Sequence, residues 1–253
     1  MTESQEQWAR MLRGEHPVAR LEARFHRMLP SNPRCKICFV PFEGVGGRLF
    51  GFFGRQRWSK NPTLCNVCQA YAEKHPGGAE VELALLFADV RGSTTIAEGM
   101  TPTEFNKLLN SFFTTATDVL IEHFAWIDKF VGDEIIAFFF PNTIPGKHHA
   151  RVALDAARDL LRATRGGALP IGIGVHAGTA YVGTVGDNHV SDVTAVGDDV
   201  NVAARLASVA TADTIVASEI ACIAAGLMDD GSPRRELELK GKSSTVPVRI
   251  LHG

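Results

Sequence analysis

The stretch Lys129–Phe139, KFVGDEIIAFF, decides how the rest of the chain is read. Gly132 and Asp133 separate one apolar run, HFAWIDKF, from a second, EIIAFFF. Short runs rich in aromatic and β-branched residues, broken by a Gly-Asp pair, predict two strands joined by a tight hairpin turn. Asp133 then stands at the hairpin tip, where an aspartate either shapes the turn or offers its carboxylate to a ligand. The turn alone does not choose between the two.

Its surroundings do. Upstream, Glu82–Asp89 is almost continuously apolar through Leu83, Leu85, Leu86 and Phe87, which predicts a buried strand. That strand runs into FADVRGST, Phe87–Thr94: a carboxylate at a strand end, then a turn with Gly92 and small hydroxyl residues. A hard oxygen ligand beside exposed backbone N–H groups suits Mg²⁺ and phosphate together. Asp89 and Asp133, on adjacent strands, could bridge two divalent ions, although either one alone reads as an ordinary turn aspartate. Between them, Thr101-Pro102-Thr103-Glu104 carries the signals of a helix start, and Phe105 to Leu120 gives that helix one apolar stripe.

Downstream a helix is expected over about 148–164, then strands at IGIGVHAG, AYVGTVG and DVTAV, and a helix over Asp199–Val209. A strand TIVAS and a hairpin RRELELKGKSSTVPVRIL complete the pattern. The βααββαβ-like order predicts an α+β sandwich. Asn201 and Arg205 are four apart on one helix and so share a face; the arginine could meet a developing phosphoryl charge with forked hydrogen bonds. Lys240 places an ammonium in the Gly-containing turn LKGKSS. His176 reads as a packed strand histidine, His148–His149 as a solvated pair, and Cys222 as a small buried hydrophobe.

The front of the chain is different in kind. Cys35-x-x-Cys38 and Cys65-x-x-Cys68 can bring four thiolates to one tetrahedral point. In a cytosolic chain this signals a metal centre rather than disulfides, with one zinc ion expected ahead of an iron–sulfur cluster. Few large aliphatic residues surround these cysteines, so a metal would supply much of the local stability. A single helix is expected over 5–29, with Trp8, Leu12, Leu21, Phe25 and Met28 on its apolar side. The expected organisation is an N-terminal helix (1–30), a four-cysteine metal module (31–75) and an α+β domain (80–253), with HPGG, 75–78, as linker.

Composition bounds the class. Of 253 residues, 45% are hydrophobic and 21% charged, as in a soluble globular chain. No apolar run approaches the ~20 residues of a membrane helix, and the N-terminus has no secretory apolar region, so a cytoplasmic protein without a membrane partner is expected. Residues 1–80 carry +5 and residues 81–253 carry −7, consistent with two modules and a solvated basic face in front. GRLFGFFGRQRWSK mixes arginine with aromatics, but no recognition helix accompanies it, so nucleic acid is not expected as a partner.

Taken together, FADVRGST, DKFVGDEIIAFF, GIGVHAGTAYVGTVG, VTAVGDDVNVAARL and LKGK resemble the class III nucleotidyl cyclases, in that family's order and spacing, over residues 80–252. Diguanylate cyclases are similar at VGDE but lack the VNVAAR helix and the KGK turn. The resemblance implies a ferredoxin-like βααββαβ cyclase sandwich. It implies Asp89, Asp133 and the Val90 carbonyl as ligands of two Mg²⁺ or Mn²⁺ ions. Lys129 and Thr194 fall on base-selecting positions, Asn201 and Arg205 on transition-state positions, and Lys240 on the triphosphate-binding one. It further implies ATP as substrate and a homodimer with shared active sites. The stretch Gly186–Val193 lacks an arginine that many relatives carry, which implies a weaker grip on the triphosphate. A catalytically silent cyclase fold serving as a binding protein, and a guanylyl cyclase, are the alternatives.

Overall fold

A computed structural model of the chain describes residues 3–12, 15, 21–22, 25–26, 28–29, 34–35, 37–58, 64–141, 148–186, 191–227, 231–239 and 244–253. In chain order the elements are α1 (Glu3–Leu12), α2 (Gly44–Phe52), α3 (Asn66–Lys74), β1 (Gly78–Val90), α4 (Ser93–Glu98) and α5 (Pro102–Glu122). There follow β2 (Trp126–Val131), β3 (Glu134–Phe139), α6 (His149–Thr164), β4 (Ile171–Gly186), β5 (Ser191–Val196) and α7 (Asp198–Val209). The chain closes with β6 (Thr214–Ser218), α8 (Glu219–Ala224), β7 (Arg234–Leu237) and β8 (Val246–His252).

The strands form one sheet ordered β2-β3-β1-β4-β6-β8-β7, with β5 paired to β4. Within it β1-α4-α5-β2-β3-α6-β4 is the expected βααββαβ unit, and its strands pair antiparallel. β1 reads as continuously apolar because both of its faces are covered. Ala84, Leu86 and Ala88 join a hydrocarbon cluster with Phe112, Ala116 and Leu120 of α5 and Ala153, Ala157 and Leu160 of α6. Leu83, Leu85 and Phe87 point the other way, into a cluster that also holds Trp8, Leu12, Cys35, Cys38 and Cys65. The front of the chain therefore packs directly on the sheet.

Two expectations change. IGIGVHAG and AYVGTVG are one strand, β4, not two. Gly178, which looks like a break, is instead where the sheet meets α7: a Cβ there would stand 2.2 Å from the Asp199 carboxylate. Gly174 likewise lets the α7 backbone lie on the strand, since its Cβ would come within 2.2 Å of the Ala207 nitrogen. The single helix over 5–29 is also interrupted. α1 ends at Leu12, the Glu15 amide turns back to the Arg10 carbonyl at 2.7 Å, and Glu15 itself is not helical. A six-to-one bond of this kind closes a helix, and the sequence supplies Gly14 and Pro17 where continuation would be costly. Trp8 and Leu12 are buried, whereas Leu21, Phe25 and Met28 are exposed. The rest of that expected helix (13–14, 16–20, 23–24, 27) lies outside the described residues. Gly78, expected in the linker, opens β1.

Candidate active site

The β2–β3 hairpin forms as expected, with Val131 opposite Glu134 and Gly132 at φ 62, a conformation suited to glycine. This puts Asp133 at the tip. Asp89 lies next to the end of β1, in register with Glu134 on one side and Gly172 on the other. Val90 closes the strand with its side chain in the main core. Burial pushes the Asp89 carboxyl above its ordinary range; the Arg91 guanidinium opposes this, and the Asp133 carboxylate adds to it. Glu134 is pushed up to about 7, first by burial and then by Asp89. Three acids thus crowd one corner, an arrangement that favours a cation. Arg91 supplies one: it donates to Asp89 Oδ2 and also holds the Ser208 carbonyl at 3.1 Å, fastening the strand end to the end of α7. Beside this corner an open cleft of about 570 Å³ is lined by Ser93, Thr94, Gly132 and Asp133, among others.

A second polar centre lies on β2 and β5. Ile127 pairs with Ala137 and Lys129 with Ile136, so Asp128 is the extra residue of a β-bulge. Bulges re-aim side chains. Here the Asp128 side chain is only 3% exposed, and its Oδ2 accepts from Thr194 Oγ1 at 2.8 Å. Lys129 Nζ stands 3.8 Å from the same Asp128 oxygen and 2.5 Å from Asp192 Oδ2. Lys129 and Thr194 are therefore brought together through Asp128, a residue the sequence reading left unassigned. Burial lifts the Asp128 carboxyl to about 6 against the opposing pull of Lys129. Desolvation works against the charged Lys129, but its bonds to Asp192 and Asp128 prevail and hold its pKa above the ordinary value.

The third group is on α7. Asn201 is exposed and Arg205 half-buried, one turn apart, and among the described residues neither makes an ion pair. The start of this helix is anchored from within. His176, buried on β4, bonds Ser218 Oγ through Nδ1 at 2.7 Å and Asp199 Oδ1 through Nε2 at 3.0 Å. The other Asp199 oxygen accepts the Thr179 amide at 2.8 Å. His176 is the packed strand histidine the sequence predicts, and it also orients the helix that carries Asn201 and Arg205. Lys240 lies outside the described residues.

The architecture has counterparts. Residues 79–251 match the adenylate and guanylate cyclase catalytic domain family. The chain belongs to that family. Among solved structures, this cyclase fold is similar to the adenylyl cyclase CyaB from P. aeruginosa, at a TM-score of 0.62 and 25% identity over 70% of this chain and 97% of that one. It is also similar to the guanylyl cyclase Cya2, at a TM-score of 0.63 and 30% identity over 69% of this chain and 93% of that one. Among curated proteins, an adenylate cyclase of Anabaena cylindrica is 36% identical over 132 residues, 49% of this chain. The matched part spans 26% of that relative, and 33% of a Mycobacterium tuberculosis protein 34% identical over 180 residues.

The family match begins at residue 79, so the cysteines lie outside the cyclase domain. They converge nonetheless. One sulfur from each of Cys35, Cys38, Cys65 and Cys68 lies within 4.8 Å of the others, and this group could hold a metal. Cys38 and Cys65 are 3.7 Å apart. The Cys65 amide donates to Cys35 Sγ at 3.3 Å and the Cys68 amide to Cys65 Sγ at 3.4 Å, and such donors favour thiolate over thiol. The Cys35 sulfur pushes Cys38 and Cys68 upward first, while the same contacts hold Cys65 low. Four such groups ionise together only around a cation. No helix of the described residues is long and apolar enough to cross a membrane.

Proposed function

We propose that the chain is an adenylyl cyclase that converts ATP to 3′,5′-cyclic AMP and pyrophosphate as a cytoplasmic homodimer. The observation that carries the choice of base is the bond from Thr194 to Asp128. A hydroxyl that gives its only proton to a buried carboxylate turns its lone pairs outward, so Thr194 is an acceptor toward substrate. Adenine offers a donor there in its 6-amino group, and its N1 accepts from Lys129, which keeps N–H donors beyond those used by Asp192. Guanine presents the reverse pattern and leaves both groups unpaired.

Asp89 and Asp133 fit a divalent cation pair because two hard carboxylates meet at one corner, where the Asp133 carboxylate adds to the cost of charging Asp89. They would hold the ions together with the Val90 carbonyl. Mg²⁺ or Mn²⁺ bound there would activate the attacking hydroxyl and neutralise the leaving phosphates. The ribose 3′-oxygen forms its bond to the α-phosphorus as the bond to pyrophosphate breaks, and the hydroxyl proton leaves to solvent. Arg205 and Asn201 meet the charge that develops on the transferred group, and Lys240 holds the triphosphate. These residues act on the nucleotide bound to the aspartates of the other chain; among the described residues Arg205 forms no ion pair that would have to break first. The cysteine region, residues 31–75, is a regulatory module with one metal centre per chain, zinc ahead of an iron–sulfur cluster.

The test is turnover of MnATP and MnGTP by purified protein. Cyclic AMP is expected as the main product. Equal or faster turnover of GTP would overturn the choice of base, and no cyclic product from either nucleotide would point instead to a binding protein.

A further inference from the structure

A third group of metal-ligating side chains lies apart from both centres. Glu82 projects from the middle of β1, while His148 and His149 stand at the N-cap and first position of α6. One ligand atom from each lies within 4.8 Å of the others. Of the expected solvated histidine pair, His148 is exposed, but the His149 side chain is only 3% exposed. Its Nε2 is buried and has no hydrogen-bond partner among the described residues; the nearest carboxylate oxygen, Glu82 Oε1, is 3.6 Å away, too far for a hydrogen bond. The two imidazole rings stack at 4.2 Å between centroids.

We propose that Glu82, His148 and His149 form a binding site for one divalent transition-metal ion of the zinc type. Two imidazoles and a carboxylate are a donor set for Zn²⁺, Co²⁺ or Fe²⁺, whereas Mg²⁺ prefers an all-oxygen shell with several waters. A buried ring nitrogen without a partner is unfavourable, and coordination removes that penalty. His148 would give up a weak contact: its Nδ1 now accepts the Ala150 amide at 3.2 Å, and metal bound through either ring nitrogen ends that bond. Glu82 is exposed, and its carboxylate lies within reach of both rings to complete the set.

This site is separate from the others. Glu82 and Asp89 are seven residues apart on one strand, roughly 23 Å at ~3.3 Å per residue. The cysteines pack against the opposite face of the sheet from Ala84 and the start of α6. An ion here would tie the first turn of α6 to β1 across the main core.

The experiment compares zinc content per chain in wild type, Glu82→Ala and His149→Gln, equilibrated in buffered Zn²⁺ with excess Mg²⁺. Mg²⁺ occupies the aspartate pair and the cysteine centre is common to all three, so only the difference matters. Wild type should hold one zinc more per chain than either variant, equivalent to at least about a 100-fold loss of affinity at this site. Glu82→Ala changes an exposed side chain and decides the matter if His149→Gln folds poorly. Substituting Co²⁺ gives a second readout: the variants should lose visible bands of nitrogen and oxygen coordination while thiolate charge-transfer bands stay. Equal zinc content and equal Co²⁺ spectra in wild type and Glu82→Ala would overturn the proposal.

Discussion

The cyclase domain and the region in front of it hold themselves together differently. The cyclase sheet buries hydrocarbon on both faces, with Leu86, Ile135, Phe139 and Leu160 sealed in its main core. The front of the chain has four cysteines at its centre and leaves Phe25, Val45, Phe52 and Phe53 exposed. Apolar burial stabilises the first by its own area, at about 25 cal/mol per Å². The second buries fewer large side chains against β1, and a metal held by its thiols would add to its stability. Stability and chemistry should therefore separate along the chain.

The strongest loss should fall in the cyclase domain and leave folding untouched. Asp89→Ala should lower turnover by at least about 1,000-fold, roughly 4 kcal/mol of transition-state stabilisation. Its melting temperature should stay level or rise, because a carboxylate that burial and Asp133 push upward is strained when charged. Steady-state turnover and calorimetry on one sample check both halves of the statement. A variant that loses activity only because it unfolds would blur the division.

Next in size is the reverse case. Removing the cysteine-bound metal with a chelator, or Cys65→Ser, should cost the front of the chain several kcal/mol. Trypsin should then cut readily between Arg48 and Arg57 while residues 79–251 persist as a resistant fragment. An unchanged digestion pattern would mean that apolar packing against β1 suffices and that the contrast between the regions is wrong.

Much of the cyclase half was legible because local and global signals agree there. Thr101 and Glu104 predict a capping box, and both of its bonds form, at 2.8 and 3.3 Å. The hairpin at Gly132 and the two-sided burial of β1 follow from turn chemistry and from an unbroken apolar run. Asp128 was missed for a physical reason: a bulge shifts register by one residue, and simple alternation cannot anticipate it. Its only signal is an acid beside Lys129 in a strand whose other residues are apolar. His149 could have been found, since it precedes Val152, Ala153 and Ala156 on the buried stripe of α6. The helix over 5–29 failed because its apolar members repeat across Gly14 and Pro17, which periodicity does not weigh.

The smallest effect tests the finest claim about the cyclase half. Asp128→Asn should lower the preference for ATP over GTP by about 10-fold, because an amide donates to Thr194 and returns its hydroxyl proton to the base. The same should happen in wild type at low pH. Burial lifts the Asp128 carboxyl to about 6. The folded state thus holds this proton more tightly than the unfolded one; the resulting stability is full below about pH 4 and is lost as pH rises through 6. The preference for ATP should fall as pH drops through about 6, and the Asp128→Asn variant should show no such step. A flat profile in wild type would remove Asp128 from base selection.

In the proposed homodimer each active site takes its aspartates from one chain and its α7 residues from the other. Mixed dimers test it most directly. Asp89→Ala and Arg205→Ala should each be nearly inactive alone. In a heterodimer of the two, one site inherits both lesions, and the other combines an intact Asp89 with an intact Arg205. Random pairing makes about half the dimers mixed with one working site each, so mixing should restore roughly a quarter of wild-type activity. No recovery, in a preparation where heterodimers are demonstrated, would contradict the account.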